Sequence, residues 1–184
     1  MIKKNLTNEC YRNILERVKS GTGFTFIELI LYISILTIIL SALVPFAWNA
    51  IETGVKSAVQ QEVNSNARYV SEKIKYEIRN SLGINSVSTA TIVLCETSGA
   101  CATNPTTITY APPNISIQDK GATAVNLNSA NTSINSLTFT NYTSGDNKTK
   151  HIQFTINIAA KFGAVRQEYQ DSVVASSSAE VRSN

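Results

Sequence analysis

Gly23-Phe24-Thr25-Phe26-Ile27-Glu28 runs straight into residues 29–48, whose only non-apolar members are Ser34, Thr37, Ser41 and Pro45. An apolar run of about 20 residues is long enough to cross a hydrocarbon core of about 30 Å. The carboxylate at its edge is the informative feature. An acid in lipid costs on the order of 2.5–3.5 kcal/mol at a helix centre and less towards an end. Glu28, a few residues after a Gly-Phe bond, therefore points to a partner that arises only after processing. An ordinary secretory signal does not fit, since its apolar core spans about 7–15 residues and ends at a small-residue cleavage site. A plain single-pass anchor stays open, because a carboxylate in the first helical turn interacts well with the helix dipole.

Working outward, the charge divides at Gly23. The chain has 184 residues and a formal charge of +3. All of that excess lies in residues 1–23, where Lys3, Lys4, Arg12, Arg17 and Lys19 outnumber Glu9 and Glu16. From Phe24 onward, eleven basic and eleven acidic residues cancel. Lys and Arg flanking a span stay on the cytoplasmic side, so the chain after Trp48 is expected outside. A nucleic-acid partner is not expected, since gripping phosphates needs clustered positive charge. Lys73, Lys75 and Arg79 are instead interleaved with Glu72 and Glu77. In the leader, Tyr11, Ile14, Leu15 and Val18 share one helical face. That face suits the inner membrane surface, or the leader is simply a disposable tail.

After Trp48 the pattern remains helical. Ile51, Val55, Val59, Val63, Ala67, Val70, Ile74, Ile78 and Leu82 recur at steps of four or three, an amphipathic stripe. Gly83 is expected to stop the helix in the left-handed conformation. A helix continuous from Phe24 to Leu82 is too long to bury itself in a domain of this size and needs lipid or a bundle of copies. Pro45 removes a backbone donor within it, and Gly54 costs about 1 kcal/mol relative to alanine.

From Ile84 the period becomes two. Residues 151–158 alternate polar and apolar, residues 137–140 do the same, and Ser144-Gly145-Asp146-Asn147-Lys148 between them reads as a turn. Residues 134–158 are therefore a predicted hairpin. Further strands are predicted at 91–94, 106–110, 115–118 and 168–174, and 119–133 reads as a polar surface loop. The expected fold class is α+β, a long N-terminal helix packed on a C-terminal antiparallel sheet. Ile152, Phe154, Ile156, Ile158, Leu137 and Phe139 should face Val63, Val70, Ile74 and Ile78. The expected organisation is leader 1–23, membrane and assembly helix 24–48, amphipathic outer half 49–83 and an extracytoplasmic β-rich domain 84–184.

The basic leader, the Gly-Phe-Thr-Phe-Ile-Glu signature, the long apolar helix and the internal proline together resemble type IV prepilins and pseudopilins, subunits of type IV pili and type II secretion systems. The specific signal covers residues 19–50; the remainder is similar in architecture alone. Phe26 stands where the family most often has leucine. The resemblance implies cleavage by prepilin peptidase between Gly23 and Phe24, methylation of the new Phe24 amine, and Glu28 as the fifth residue of the mature chain. It also implies pairing of Glu28 with the Phe24 amine of a neighbouring subunit, and a helix near Pro45 that stretches or melts on assembly. The implied partners are other pilin or pseudopilin subunits, the peptidase, the inner-membrane assembly platform and membrane lipid. Among subunit types the chain is most similar to J-type minor pseudopilins or related minor pilins. The implied localisation is the inner membrane, spanned once with the amino terminus in the cytoplasm, followed by an extracellular or periplasmic filament.

Cys10 would leave with the leader. Cys95 and Cys101 would then form an even pair outside the cytoplasm, where a disulfide can form if their Cα atoms lie about 4.4–6.8 Å apart; two free thiols are the alternative. No catalytic residues, cofactor or metal site are expected. His151 falls on the polar face of its strand, the usual metal-ligand spacings are missing, and glycine patterns for phosphate are absent. The sequons at Asn131, Asn141 and Asn147 carry little weight in so Asn- and Thr-rich a chain. The function expected is a non-catalytic filament subunit. A membrane-anchored binding or adhesion module using the outer sheet and the 119–133 loop is the competing class, and an anchored hydrolase lacks a visible base.

Overall fold

The computed structural model describes residues 23–95, 104–146, 149–161 and 167–181. The chain forms two compact units, Met1–Asn49 and Ala50–Asn184. Helix α1 covers Phe26–Asn80. Thr25 precedes it as the N-cap: its carbonyl accepts hydrogen bonds from the Glu28 and Leu29 amides at 3.0 and 3.2 Å, and its hydroxyl lies 3.4 Å from the Glu28 amide. Thr25-x-x-Glu28 is the sequence form of a capping box, which explains why the helix starts at Phe26 and not at Phe24.

The helix end corrects the expectation for Gly83. The Ser81 amide still donates to the Glu77 carbonyl at 3.0 Å, and the Leu82 amide then donates to the Cys95 carbonyl at 2.8 Å. The Ser81 hydroxyl satisfies the Ile78 carbonyl at 2.8 Å. The backbone thus passes directly from helix to strand pairing, and Gly83 is the first residue of a strand. Among the described glycines, the left-handed conformation belongs to Gly121, at φ 75°.

Among the described residues eight strands follow: β1 Gly83–Val87, β2 Thr91–Cys95, β3 Thr106–Ala111, β4 Asn114–Gln118, β5 Val125–Asn126, β6 Thr132–Asn141, β7 His151–Ala160 and β8 Ser172–Glu180. They make two antiparallel sheets where a single one was expected, a five-stranded sheet in the order β1 to β5 and a three-stranded sheet β6-β7-β8. Bonds from the Phe139 amide to the Thr89 carbonyl (3.1 Å) and from the Ile134 amide to the Pro113 carbonyl (2.8 Å) join them. The predicted hairpin is β6-β7. The strand predicted at 168–174 starts later, because Gln167–Tyr169 forms a 3-10 turn. The predicted 119–133 loop contains the short β5.

A bulge decides which residues of β6 face inward. Its register skips one residue between Ile134 and Ser136, so Ile134 and Leu137, three apart, are both buried. The Tyr110 hydroxyl donates to the Ile134 and Asn135 carbonyls at 3.2 and 2.8 Å, supplying a donor where the ladder is interrupted.

The core lies within the unit Ala50–Asn184. Val63, Ala67, Val70, Ile74 and Ile78 of α1 form one buried cluster with Ile92, Leu94, Ile108 and Ile115 of the first sheet and the inward residues of β6 and β7. Every residue of the predicted seam belongs to it: Ile152, Phe154, Ile156, Ile158, Leu137 and Phe139 opposite Val63, Val70, Ile74 and Ile78. Full burial of such side chains stabilises by about 1.5–3 kcal/mol each, so this cluster is the main source of the fold's stability. The architecture is α+β, a long N-terminal helix packed on antiparallel sheets.

Candidate functional site

The candidate site begins where the helix begins. Gly23, Phe24 and Thr25 precede α1 and are exposed, and Glu28 occupies the third helical position. Phe24 is 70% exposed, and its ring is tilted against Tyr32 at 5.6 Å between centroids. The Glu28 carboxylate is exposed and forms no ion pair among the described residues. Its first-turn position is electrostatically favourable by itself, because unpaired amides give a helix start a partial positive charge. The capping role of Thr25 is legible in Thr25-x-x-Glu28, whereas the sequence reading placed Glu28 alone in the first helical turn.

Residues 24–48 are exposed along their whole length. Ile38 is 68% exposed and Phe46 71%, which no water-facing helix of a stable monomer sustains on every side. The hydroxyls interrupting this surface are turned inward on the backbone. Ser34 donates to the Ile30 carbonyl at 2.7 Å, Thr37 to Ser34 at 2.8 Å and Ser41 to Ile38 at 2.8 Å. Polar groups satisfied within the helix do not need water. α1 therefore contains a stretch long and apolar enough to cross a membrane. Pro45 lies inside α1 and cannot donate to the Ser41 carbonyl four residues earlier. At Gly54 a Cβ would meet no atom within 4 Å, so local packing does not require glycine there.

The outer half of α1 carries its charges in local pairs. Lys73 bonds the buried Glu77, and Lys75 bonds Glu72 at 2.6 Å. The bond to Glu77 raises the Lys73 pKa above its ordinary value, and the bond from Lys75 lowers that of the exposed Glu72. These two pairs cancel their charges locally. Polar bonds also tie α1 to the start of β6: Ser129 Oγ to Glu62 at 3.2 Å and Thr132 Oγ1 to Asn66 at 3.3 Å.

Cys95 ends β2 and is 3% exposed; Cys101 lies outside the described residues, as do Cys10, residues 1–22 of the leader and the sequon Asn147. His151 is half-buried, its ring tilted against Tyr142 at 6.4 Å between centroids. Among the described residues no three His, Cys, Asp or Glu side chains converge as metal ligands do. The structure thus gathers Phe24 and Glu28 near one helix start and places Pro45 and Cys95 elsewhere. Comparison with protein-family models, with curated proteins and with solved structures returns no match.

Proposed function

We propose that the chain is a non-catalytic structural subunit, a minor pilin or pseudopilin, of a type IV pilus or type II secretion-type filament, processed by prepilin peptidase after Gly23. The observation that carries this reading is a first helical half, up to Trp48, that is apolar and exposed on every side, preceded by an exposed Gly-Phe bond and carrying a carboxylate in its first turn. Cleavage would create an amine at Phe24. Glu28 of one subunit would pair with the Phe24 amine of another within a bundle of apolar helices, where either charge alone is costly. Residues 29–48 would exchange lipid for neighbouring helices, and the β-rich unit would face outward. The basic leader supports a cytoplasmic amino terminus, which puts the sheets outside the inner membrane.

Intact-mass measurement of the membrane-extracted protein, from a host with an active prepilin peptidase, tests the reading directly. The expected mass lacks residues 1–23; a mature protein that retains them removes the basis of the proposal. In the same reading Cys95 and Cys101 form a disulfide. The expected result is no thiol labelling of either residue before reduction, and two reactive thiols would overturn the bridge alone.

A second reading, a plain membrane-anchored binding module, is favoured by one observation. Thr25 and the helix dipole already give Glu28 a local role, so its presence does not by itself require a neighbour.

A further inference from the structure

A cleft of about 210 Å³ opens between β1 and the segments on either side of the β6-β7 turn, lined by Asn85, Ser86, Asn141, Thr143 and Lys150. Three features meet there. The register of β1 against β2 skips a residue between Ile84 and Ser86, making Asn85 a bulge; bulges re-aim side chains and recur beside functional sites. The Thr143 hydroxyl is shut off from solvent with no hydrogen-bond partner, although the Thr143 amide is satisfied by Asn141 Oδ1 at 2.9 Å. Lys150 is half-buried and pairs with no carboxylate among the described residues. Its amine stands 3.6 Å from the position a Cβ on Gly83 would occupy, an ordinary contact distance, so it lies against the start of β1.

A half-buried ammonium and an orphaned buried hydroxyl are both donors in search of an acceptor. With Asn141 Oδ1 engaged by the Thr143 amide, the Asn141 NH₂ remains as a third donor. Among the described residues no acid lines the cleft and Lys150 is its one cation, and one fixed cation is best matched by one negative charge. We propose that this cleft binds a carboxylate, with its oxygens shared between the Lys150 ammonium and the Thr143 hydroxyl, which a rotation of the Thr143 side chain would turn into the cleft. The carboxylate belongs either to a small free acid or to the carboxyl terminus of a peptide. The site lies wholly within the unit Ala50–Asn184, and its existence does not depend on leader cleavage or filament assembly.

The test is amide NMR of the full chain in detergent micelles, titrated with sodium acetate against sodium chloride of equal ionic strength. Saturable shifts at Asn85, Ser86, Thr143 and Lys150 with acetate and not with chloride are expected. Lys150→Gln should weaken the acetate response at least about tenfold, the scale of losing a charge-assisted bond, and Lys150→Arg should retain it. Thr143→Val, which keeps shape and charge, should also weaken it, with unchanged amides elsewhere reporting an intact fold. Tri-alanine with a free carboxyl terminus, compared with its amide, separates the two sources: shifts from the free acid alone identify a peptide terminus, and shifts from acetate without tri-alanine identify a small acid. Tighter binding of inorganic phosphate than of acetate overturns the carboxylate assignment. An acetate response unchanged by Lys150→Gln, or none at all, overturns the site.

Discussion

The two halves of α1 obey the same backbone rules and make opposite demands on their surroundings. Between Phe26 and Trp48, isoleucine and leucine occupy every side of the helix and remain exposed; beyond Ala50, one stripe carries the apolar residues, and Val63, Val70, Ile74 and Ile78 are at most 1% exposed. Two small sheets can cover one stripe. They cannot cover a full cylinder, so the first half needs lipid or other helices while the second is completed by its own chain. The contrast separates what this sequence builds alone from what it leaves for an assembly to build.

The hardest test of the contrast is at Glu28. Glu28→Gln keeps a side chain able to serve a capping box but removes the charge that would meet a neighbour's Phe24 amine. Leaving one member of a buried pair unpaired costs about 3–5 kcal/mol, so incorporation into filaments should fall by at least about a hundredfold while cleavage and membrane insertion persist. The measurement is the share of cleaved subunit in sheared or cross-linked filaments against that left in the membrane. Normal incorporation would reduce Glu28 to a helix-start residue and favour the anchored module.

Truncating one residue in each half comes next. Ile74→Ala empties space in the core and should cost about 2–5 kcal/mol, read as a lower urea midpoint for the full chain in detergent. Leu36→Ala, at a position 59% exposed, should leave that midpoint unchanged. Equal losses at both positions would mean that the first half also packs against its own chain.

Much of this division was legible beforehand, because both halves declare themselves through periodicity: an apolar run in one, a repeat of three and four in the other. The β6-β7 hairpin was legible for the same reason, and all six of its predicted inward residues are buried. What escaped reading depends on pairing. β1 was invisible because the bulge at Asn85 breaks its alternation. β8 was predicted only as far as Val174; its continuation through Ala175-Ser176-Ser177-Ser178-Ala179 lacks the β-branched and aromatic residues that mark strands, and an unbroken register with β7 makes it one. Gly83 suggested a left-handed stop because glycine commonly provides one, whereas the Leu82 amide found a partner in β2. At the helix start, Gly23, Phe24 and Glu28 were read from sequence, yet the carboxylate-binding cleft was not. Its residues come from three separated segments, and nothing in Thr149-Lys150-His151 announces an amine left without an acid.

The smallest effect concerns the polar face of the outer half. Lys73 holds the buried Glu77, and its pKa is raised chiefly because that carboxylate accepts its hydrogen bond. A group whose pKa is higher in the folded state stabilises fully below its unfolded value, about 10.5 for lysine, and loses that contribution as pH rises through the folded value. Wild type should therefore exceed Lys73→Met in urea midpoint at neutral pH, and the gap should close only in alkali above the ordinary lysine range. Lys73 keeps about a third of its side chain in solvent, and salt screens such pairs, so the gap should be small and shrink further in high salt. A gap that persists unchanged through strong alkali would assign the effect to contacts of Lys73 that do not depend on its charge.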